Sequence, residues 1–130
     1  MATYSSNTTV KVSDKLTFSG SGTGTTTYTV PGNSYLILNY FEVQGNAGGG
    51  SATATIQING KNILTRTASG LPKVVLKPAL DQNNDANSAT EGYGAIPGGV
   101  YLGPGETLSA VRSGSSSTYE AHGVLFTNTP

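Results

Sequence analysis

Glycine and proline interrupt this 130-residue chain so often that no stretch shows a sustained helical period. The sequence contains 18 Gly and 6 Pro, and both residue types disfavour the interior of a helix. Short runs with strand character recur between these interruptions. From Ala52 to Ile58, Ala or Ile alternates with Thr or Gln, and the Asn59-Gly60 pair that follows is typical of a hairpin turn. The sequence therefore predicts an all-β protein, an antiparallel β-sandwich that is jelly-roll-like and has about eight strands.

The first 27 residues are expected to stand apart from that sandwich. They contain a turn signal at Ser13-Asp14-Lys15, followed from Ser19 by "SGSGTGTTT", which has the composition of a flexible link. We therefore expect residues 1–27 to form an N-terminal arm or first hairpin with a Gly-Ser-Thr link. Residues 28–130 are expected to form the β-sandwich domain.

One predicted strand is apolar on both of its faces. Under strict alternation, one face of this run would carry Tyr35, Ile37, Phe41 and Val43. The other face would carry Leu36, Leu38 and Tyr40. An antiparallel strand of a sandwich is normally wet on its outer face, so this run needs a second cover, which is either another part of the chain or another subunit. If a subunit covers it, the candidate interface residues are Leu36, Leu38, Tyr40 and His122.

Two Pro-Gly pairs have similar surroundings, "YTVPGNSY" from Tyr28 and "YLGPGETL" from Tyr101. In a β-turn, Pro at the second position presets φ, and Gly at the third position accepts a positive φ, as a type II turn requires. Both pairs are therefore predicted to be type II corners that lead into strands of the sandwich, rather than parts of a binding site.

Charge and cysteine content argue against several classes of function. Charged residues make up 11% of the chain, and its formal net charge is zero. No nucleic-acid partner is expected, because such proteins cluster Lys and Arg to replace counterions. The sequence has neither a signal peptide nor a transmembrane run, so we expect synthesis in the cytoplasm and no membrane partner. The absence of Cys excludes disulfides and thiolate chemistry.

No residue pattern points to catalysis, so we expect a protein that is not an enzyme and holds no cofactor or metal. His122 is the only histidine and shares a predicted strand face with Val124 and Phe126. Metal sites without Cys usually draw on several His residues. A glycosidase needs two carboxylates across a cleft, and its sugar-binding site usually has aromatic walls, whereas this chain has no Trp.

One polar stretch leaves a calcium site open as an alternative. Asp81, Asn83 and Asp85 have the oxygen-ligand spacing of the first half of a calcium loop, but Ala86 occupies the position where that loop needs Gly. The other interpretation is an Asx-rich surface loop.

The chain has a Cys-free composition rich in Ser, Thr, Gly and Asn and the progression "VPGNSYLILNYFEV … TATIQINGKNIL … VYLGPGETLSAV … GVLF". In these features it resembles small virion proteins of tailed bacteriophages. The resemblance covers residues 28–126. The proteins that it resembles are β-sandwich or jelly-roll domains of capsid decoration (cement) proteins and related fibre tips.

This resemblance implies a function without chemistry. It implies a homotrimer that binds the major capsid protein on the outer capsid surface of the virion and stabilises the head. Because a fibre tip usually ends a long chain with a shaft, the short chain starting at Met1 favours a decoration protein. The alternative is a receptor- or carbohydrate-binding tip of a phage tail appendage.

Overall fold

The computed structural model of the protein describes residues 9–77, 91–95 and 100–129, which contain ten strands. In chain order they are β1 (Thr9–Ser21), β2 (Gly24–Thr29), β3 (Ser34–Gln44), β4 (Ser51–Ile58), β5 (Lys61–Ser69), β6 (Lys73–Lys77), β7 (Glu91–Ala95), β8 (Val100–Leu102), β9 (Thr107–Arg112) and β10 (Thr118–Thr129). The larger sheet has the order β1-β10-β3-β6-β7 with β8 also paired to β3, and the smaller sheet has the order β2-β9-β4-β5. The β6–β7 pair is parallel, and the other pairs are antiparallel. The predicted all-β sandwich is therefore confirmed, with ten described strands instead of about eight.

The two sheets bury the sides that face each other. On β4, Ala52, Ala54 and Ile56 are at most 2% exposed, so the alternation in the sequence predicted the inward face of this strand correctly. Asn59 and Gly60 both have a positive φ, 52° and 78°, as a type I′ hairpin turn requires. The predicted hairpin between β4 and β5 is therefore confirmed.

A β-bulge at Asn39 reverses the alternation of β3. In the pairing of β3 with β10, Tyr40 lies opposite His122, and Leu38 lies opposite the next residue, Gly123. Asn39 is consequently an extra residue between two paired ones, which is what defines a bulge. Because of this extra residue, a residue of β3 before Asn39 and one after it lie on the same face when their residue numbers differ by an odd number.

The bulge corrects two of the predicted interface residues. Leu36 and Leu38 face the core before the bulge, and Phe41 and Val43 face it after the bulge, with each of the four at most 2% exposed. Strict alternation was therefore the wrong assumption for this strand. Because Leu36 and Leu38 are buried within a single chain, they are not available to a second subunit.

The segment predicted to be an arm and a link belongs to the sandwich over its described part. β1 pairs with β10 along its whole length, and the predicted turn at Ser13-Asp14-Lys15 is instead a register shift between Val12 and Asp14 in a continuous strand. β2 pairs with β9, so β1 and β2 lie in different sheets and do not form a hairpin. The prediction of a turn and a link is therefore wrong for residues 9–27, and residues 1–8 lie outside the described part.

The two Pro-Gly corners lie side by side but are different turns. The amide of Val30 donates to the carbonyl of Glu106, and the amide of Gly105 donates to the carbonyl of Val30, both over 3.0 Å. In the second corner Glu106 N donates to Gly103 O and Gly105 has a φ of 80°, which fits the predicted type II turn.

The first corner departs from the type II prediction. Its hydrogen bond runs from Ser34 N to Pro31 O over 3.1 Å, so Pro31 is the first residue of the turn and not the second. Gly32 is absent from the positive-φ glycines of the described chain.

Candidate functional site

The outer face of the larger sheet carries a group of apolar and aromatic side chains that the described residues leave partly uncovered. We call this group the aromatic patch, and it consists of Tyr35, Ile37, Tyr40, Tyr101, Val124 and Phe126. Five of its members are half-buried, whereas Tyr101 is 62% exposed, more than any other large hydrophobic residue of the described chain. Large contiguous apolar patches on protein surfaces often mark binding sites, so this patch is the candidate binding surface of the described chain.

Strand register brings the members of the patch together in three rows. Tyr35 lies opposite Phe126, and their rings stack with centroids 5.2 Å apart and planes 14° apart. In the second row, Ile37 lies between Val124 of β10 and Tyr101 of β8.

The third row pairs Tyr40 with His122, and their ring centroids are 6.2 Å apart. The rows come from β10, β3 and β8, and β3 is hydrogen-bonded to each of the other two strands. The patch therefore lies on a sheet and not on a flexible loop.

Charged side chains border the patch beyond His122. Glu42 and Glu120 face each other across β3 and β10. Lys73 Nζ lies 2.9 Å from Glu42 Oε1, and His122 Nε2 lies 2.8 Å from Glu120 Oε1. These partners offset the repulsion between the two carboxylates, and they mark where the apolar surface gives way to a polar rim.

Two of the four predicted interface residues, Tyr40 and His122, lie together at this surface, whereas Leu36 and Leu38 belong to the core. The sequence did place His122 on one face with Val124 and Phe126, and the register confirms that placement. Tyr35 and Tyr101 were missed as surface candidates. Their apolar pairing partners, Phe126 of β10 for Tyr35 and Ile37 of β3 for Tyr101, are far away in sequence.

The outer face of the smaller sheet is polar where the larger sheet is aromatic. Hydroxyls pair across its strands, with 2.9 Å between Thr53 Oγ1 and Thr67 Oγ1 and 2.8 Å between Thr27 Oγ1 and Ser109 Oγ. Gln57 Nε2 donates to Asn62 Oδ1 over 2.9 Å. These short polar side chains satisfy one another and are compatible with contact to water, so the two outer faces of the sandwich differ in chemistry.

One buried cation, Arg112, lies on the inner side of the smaller sheet. It is 6% exposed, and its guanidinium donates to Gly24 O, Ala110 O and Thr26 Oγ1 over 3.1, 2.9 and 2.9 Å. The guanidinium carbon lies 4.3 Å from the ring centroid of Tyr119 on β10, and burial lowers the pKa of Arg112. Arg112 therefore ties β2, β9 and β10 together and is a structural residue.

A second polar cluster joins the Asn59-Gly60 turn to the second Pro-Gly corner. Glu106 Oε1 accepts from Gly103 N over 2.6 Å and its Oε2 accepts from Asn59 Nδ2 over 2.7 Å. Thr107 N donates to Asn59 Oδ1 over 2.9 Å. The Gly103 amide, and next the Asn59 side chain, hold the pKa of Glu106 below its ordinary value.

Other site types have no candidate in the described part of the chain. No group of three or more His, Cys, Asp or Glu residues within it is placed to hold a metal, and no pocket opens on its surface. The possible calcium ligands Asp81, Asn83 and Asp85 lie outside the described residues. A helix that could cross a membrane was not found in residues 9–77, 91–95 and 100–129.

None of the protein-family models, curated proteins or solved structures with which the chain was compared matches it.

Proposed function

We propose that this protein is a non-enzymatic structural protein of a phage virion, a decoration protein that binds the outer capsid surface as a homotrimer and stabilises the head. The observation that carries the proposal is the contrast between the two outer faces of the sandwich. One face presents the aromatic patch, and the other presents paired hydroxyls. An apolar face left partly uncovered by the described part of its own chain favours a protein partner, whereas a hydroxyl face is suited to water.

The proposed mechanism is burial of the aromatic patch against another virion subunit, without any covalent chemistry. Tyr101 is the expected main anchor of this contact, because its ring is exposed and it lies beside Ile37, with Val124 beyond Ile37 on the same face. Large aromatic side chains in the middle of an interface commonly carry most of its binding energy. A trimer presents three such contacts at once, so weak individual contacts can together hold the protein on a capsid.

The strand order supports the jelly-roll form of the sandwich that the resemblance implies. A jelly roll of two Greek keys places strands from opposite ends of the chain beside each other in both sheets. In this chain β1 is adjacent to β10 in the larger sheet, and β2 is adjacent to β9 in the smaller one. If the other eight strands form the jelly roll, β7 and β8 are two strands added to its larger sheet.

The direct test is co-sedimentation of the purified protein with empty heads built from the major capsid protein encoded in the same genome. Saturable binding, and heads that withstand a higher temperature when decorated, are the expected results. Tyr101→Ser should weaken binding, and Ile63→Ser, which changes an exposed residue of the smaller sheet, should leave it intact. A protein that is monomeric and does not sediment with heads would contradict the proposal.

A receptor- or carbohydrate-binding tip of a tail appendage is the second candidate. It is favoured by the exposed ring of Tyr101 on the same face as the His122–Glu120 pair, because sugars are bound by stacking on aromatic rings together with hydrogen bonds from polar neighbours. Binding to a glycan array that is lost in Tyr101→Ser would support it. Repeating the array with a chelator tests whether Asp81, Asn83 and Asp85 contribute a calcium site.

A further inference from the structure

Asn59 belongs to an Asn-Gly dipeptide, a type of sequence whose asparagine is chemically labile. Asn59-Gly60 is the one Asn-Gly pair in the sequence, and it forms the exposed two-residue turn between β4 and β5. Asn59 is also the one non-glycine residue of the described chain with a positive φ. The same residue that suits a type I′ turn therefore exposes a side-chain amide beside an unhindered backbone nitrogen.

The chemistry open to this dipeptide needs only water. The backbone nitrogen of Gly60 attacks Cγ of Asn59, the new C–N bond closes a five-membered succinimide, and Nδ2 leaves as ammonia. Water then opens the ring at either carbonyl and leaves Asp or isoAsp. The attack is favoured before Gly because no Cβ hinders the nitrogen, and Asn is accordingly counted among the thermolabile residues.

Both polar atoms of the Asn59 side-chain amide are hydrogen-bonded in the folded protein. Nδ2 donates to Glu106 Oε2 over 2.7 Å, and Oδ1 accepts from Thr107 N over 2.9 Å. The backbone amide of Asn59 also donates to Thr107 O over 2.9 Å. Two of these bonds are made to Thr107, the first residue of β9, and one to Glu106 directly before it. The side-chain amide must therefore leave both of its partners before Cγ can reach the nitrogen of Gly60.

We propose that Asn59 is a deamidation site and that Glu106 is the positioning residue that protects it in the folded protein. The carboxylate is itself anchored, because its other oxygen accepts from Gly103 N over 2.6 Å. Because the pKa of Glu106 is lowered, this acceptor stays ionised at pH values below the ordinary pKa of a glutamate. The inference is independent of the proposed virion function.

Deamidation would open this corner of the sandwich. A carboxylate at position 59 replaces the donor that faces Glu106 with a like charge. IsoAsp additionally lengthens the main chain of a two-residue turn by one carbon, and that turn sets the register of β4 and β5. The change is one-way, so each molecule loses the Glu106–Asn59 contact permanently once it has reacted.

The test is peptide mapping by mass spectrometry of the full chain during warm incubation at neutral pH. Wild-type protein should deamidate at Asn59 much faster in denaturant than when folded. Folded Glu106→Ala should react at Asn59 roughly tenfold or more faster than folded wild type, because a hydrogen bond to a charged acceptor is lost. In denaturant the two proteins should react at equal rates. Asn33, which is exposed and precedes Ser34, is the internal reference and should react equally in both folded proteins.

A second variant tests whether a faster reaction at Asn59 comes from the lost contact or from unfolding. Glu106→Gln keeps the length of the side chain but offers one acceptor oxygen instead of two, so an intermediate rate at Asn59 is expected. Circular dichroism establishes that each variant is folded under the incubation conditions. Equal rates for folded and denatured wild type would overturn the proposal, as would a folded variant that reacts at the wild-type rate or more slowly.

Discussion

Val30 and Glu106 are hydrogen-bonded through their backbones, the amide of Val30 donating to the carbonyl of Glu106 over 3.0 Å. Each residue adjoins a Pro-Gly pair, so two corners with similar sequences meet at one end of the sandwich. They connect different strands, since the first leads from β2 to β3 and the second from β8 to β9. Their similarity reflects a shared position at this end and not a shared turn geometry.

The two glycines of these corners should respond differently to the same substitution. Gly105→Ala forces a side chain into a φ of 80° and should lower the free energy of unfolding by about 1 kcal/mol. Gly32→Ala has open space around the new Cβ and no positive φ to maintain, so it should change stability little or raise it slightly. Urea denaturation measures both, and an equal loss in the two variants would contradict the assignment of different turns.

Gly123 lies where the bulge of β3 brings two backbones together. A Cβ at this position would lie 2.6 Å from Ile37 O and 2.9 Å from Leu36 Cδ1. Gly123→Ala should therefore destabilise the protein by about 1–3 kcal/mol. The matched control is Gly50→Ala, which meets no atom within 4 Å. A Gly123→Ala variant as stable as this control would argue against the close approach of β3 and β10.

Arg112 should be required for stability through its hydrogen bonds and not through its charge alone. Arg112→Lys cannot reach Gly24 O, Ala110 O and Thr26 Oγ1 together, so it should lower the free energy of unfolding by about 2 kcal/mol. Lys61→Met, an exposed change at the start of β5, should stay within about 0.5 kcal/mol of wild type. If Arg112→Lys behaved like this control in thermal or urea unfolding, charge alone would account for the role of Arg112.

Glu106 should make stability depend on pH in the acid range. Its pKa is lower in the folded protein than its ordinary value, so its contribution is fully present above the unfolded-state pKa and is lost as the pH falls through the folded-state pKa. The difference in unfolding free energy between wild type and Glu106→Gln should therefore be largest near neutral pH and shrink on acidification. A difference that stays constant across this range would contradict the ionised contact.

The aromatic patch should govern association while having little effect on the fold. Tyr101→Ser should weaken self-association or capsid binding at least about tenfold, and its effect on thermal unfolding should stay small because the ring is 62% exposed. Sedimentation velocity over a concentration series measures the first effect. Ile63→Ser is the control, since Ile63 is 42% exposed on the smaller sheet. If the two variants associated equally, the aromatic patch would not be part of the interface.

Local patterns in the sequence were sufficient for some parts of this fold. The alternation along β4 and the Asn59-Gly60 turn were both predicted, because strand faces and two-residue hairpins depend on neighbouring residues. The bulge at Asn39 was not predictable, since it depends on how β10 pairs with β3, and "LILNYF" is apolar at every position but Asn39 and so gives no sign of where the inward face changes. The pairing of β1 with β10 was missed for the same reason, because its partner is at the other end of the chain.

The candidate surface was partly predictable for a related reason. Tyr40 and His122 were expected at an interface, and the structure brings them together on the outer face. Tyr35 and Tyr101 belong to the same surface only because β3 stands between β10 and β8. The contact between Glu106 and Asn59 is likewise a product of tertiary structure, since it joins a hairpin turn to a corner in a distant part of the sequence.

The position of β10 between β1 and β3 has a consequence for how this protein is made. Thr9 pairs with Thr129, so a central strand of the larger sheet is synthesised after every other strand of the described part. Until β10 is made, β1 has no neighbouring strand among the described residues, and the edge of β3 that β10 will occupy remains open. Completion of the larger sheet is therefore expected to wait for β10 and to be slow, as for other folds dominated by distant contacts. During that interval a free strand edge is exposed to pairing with other nascent chains.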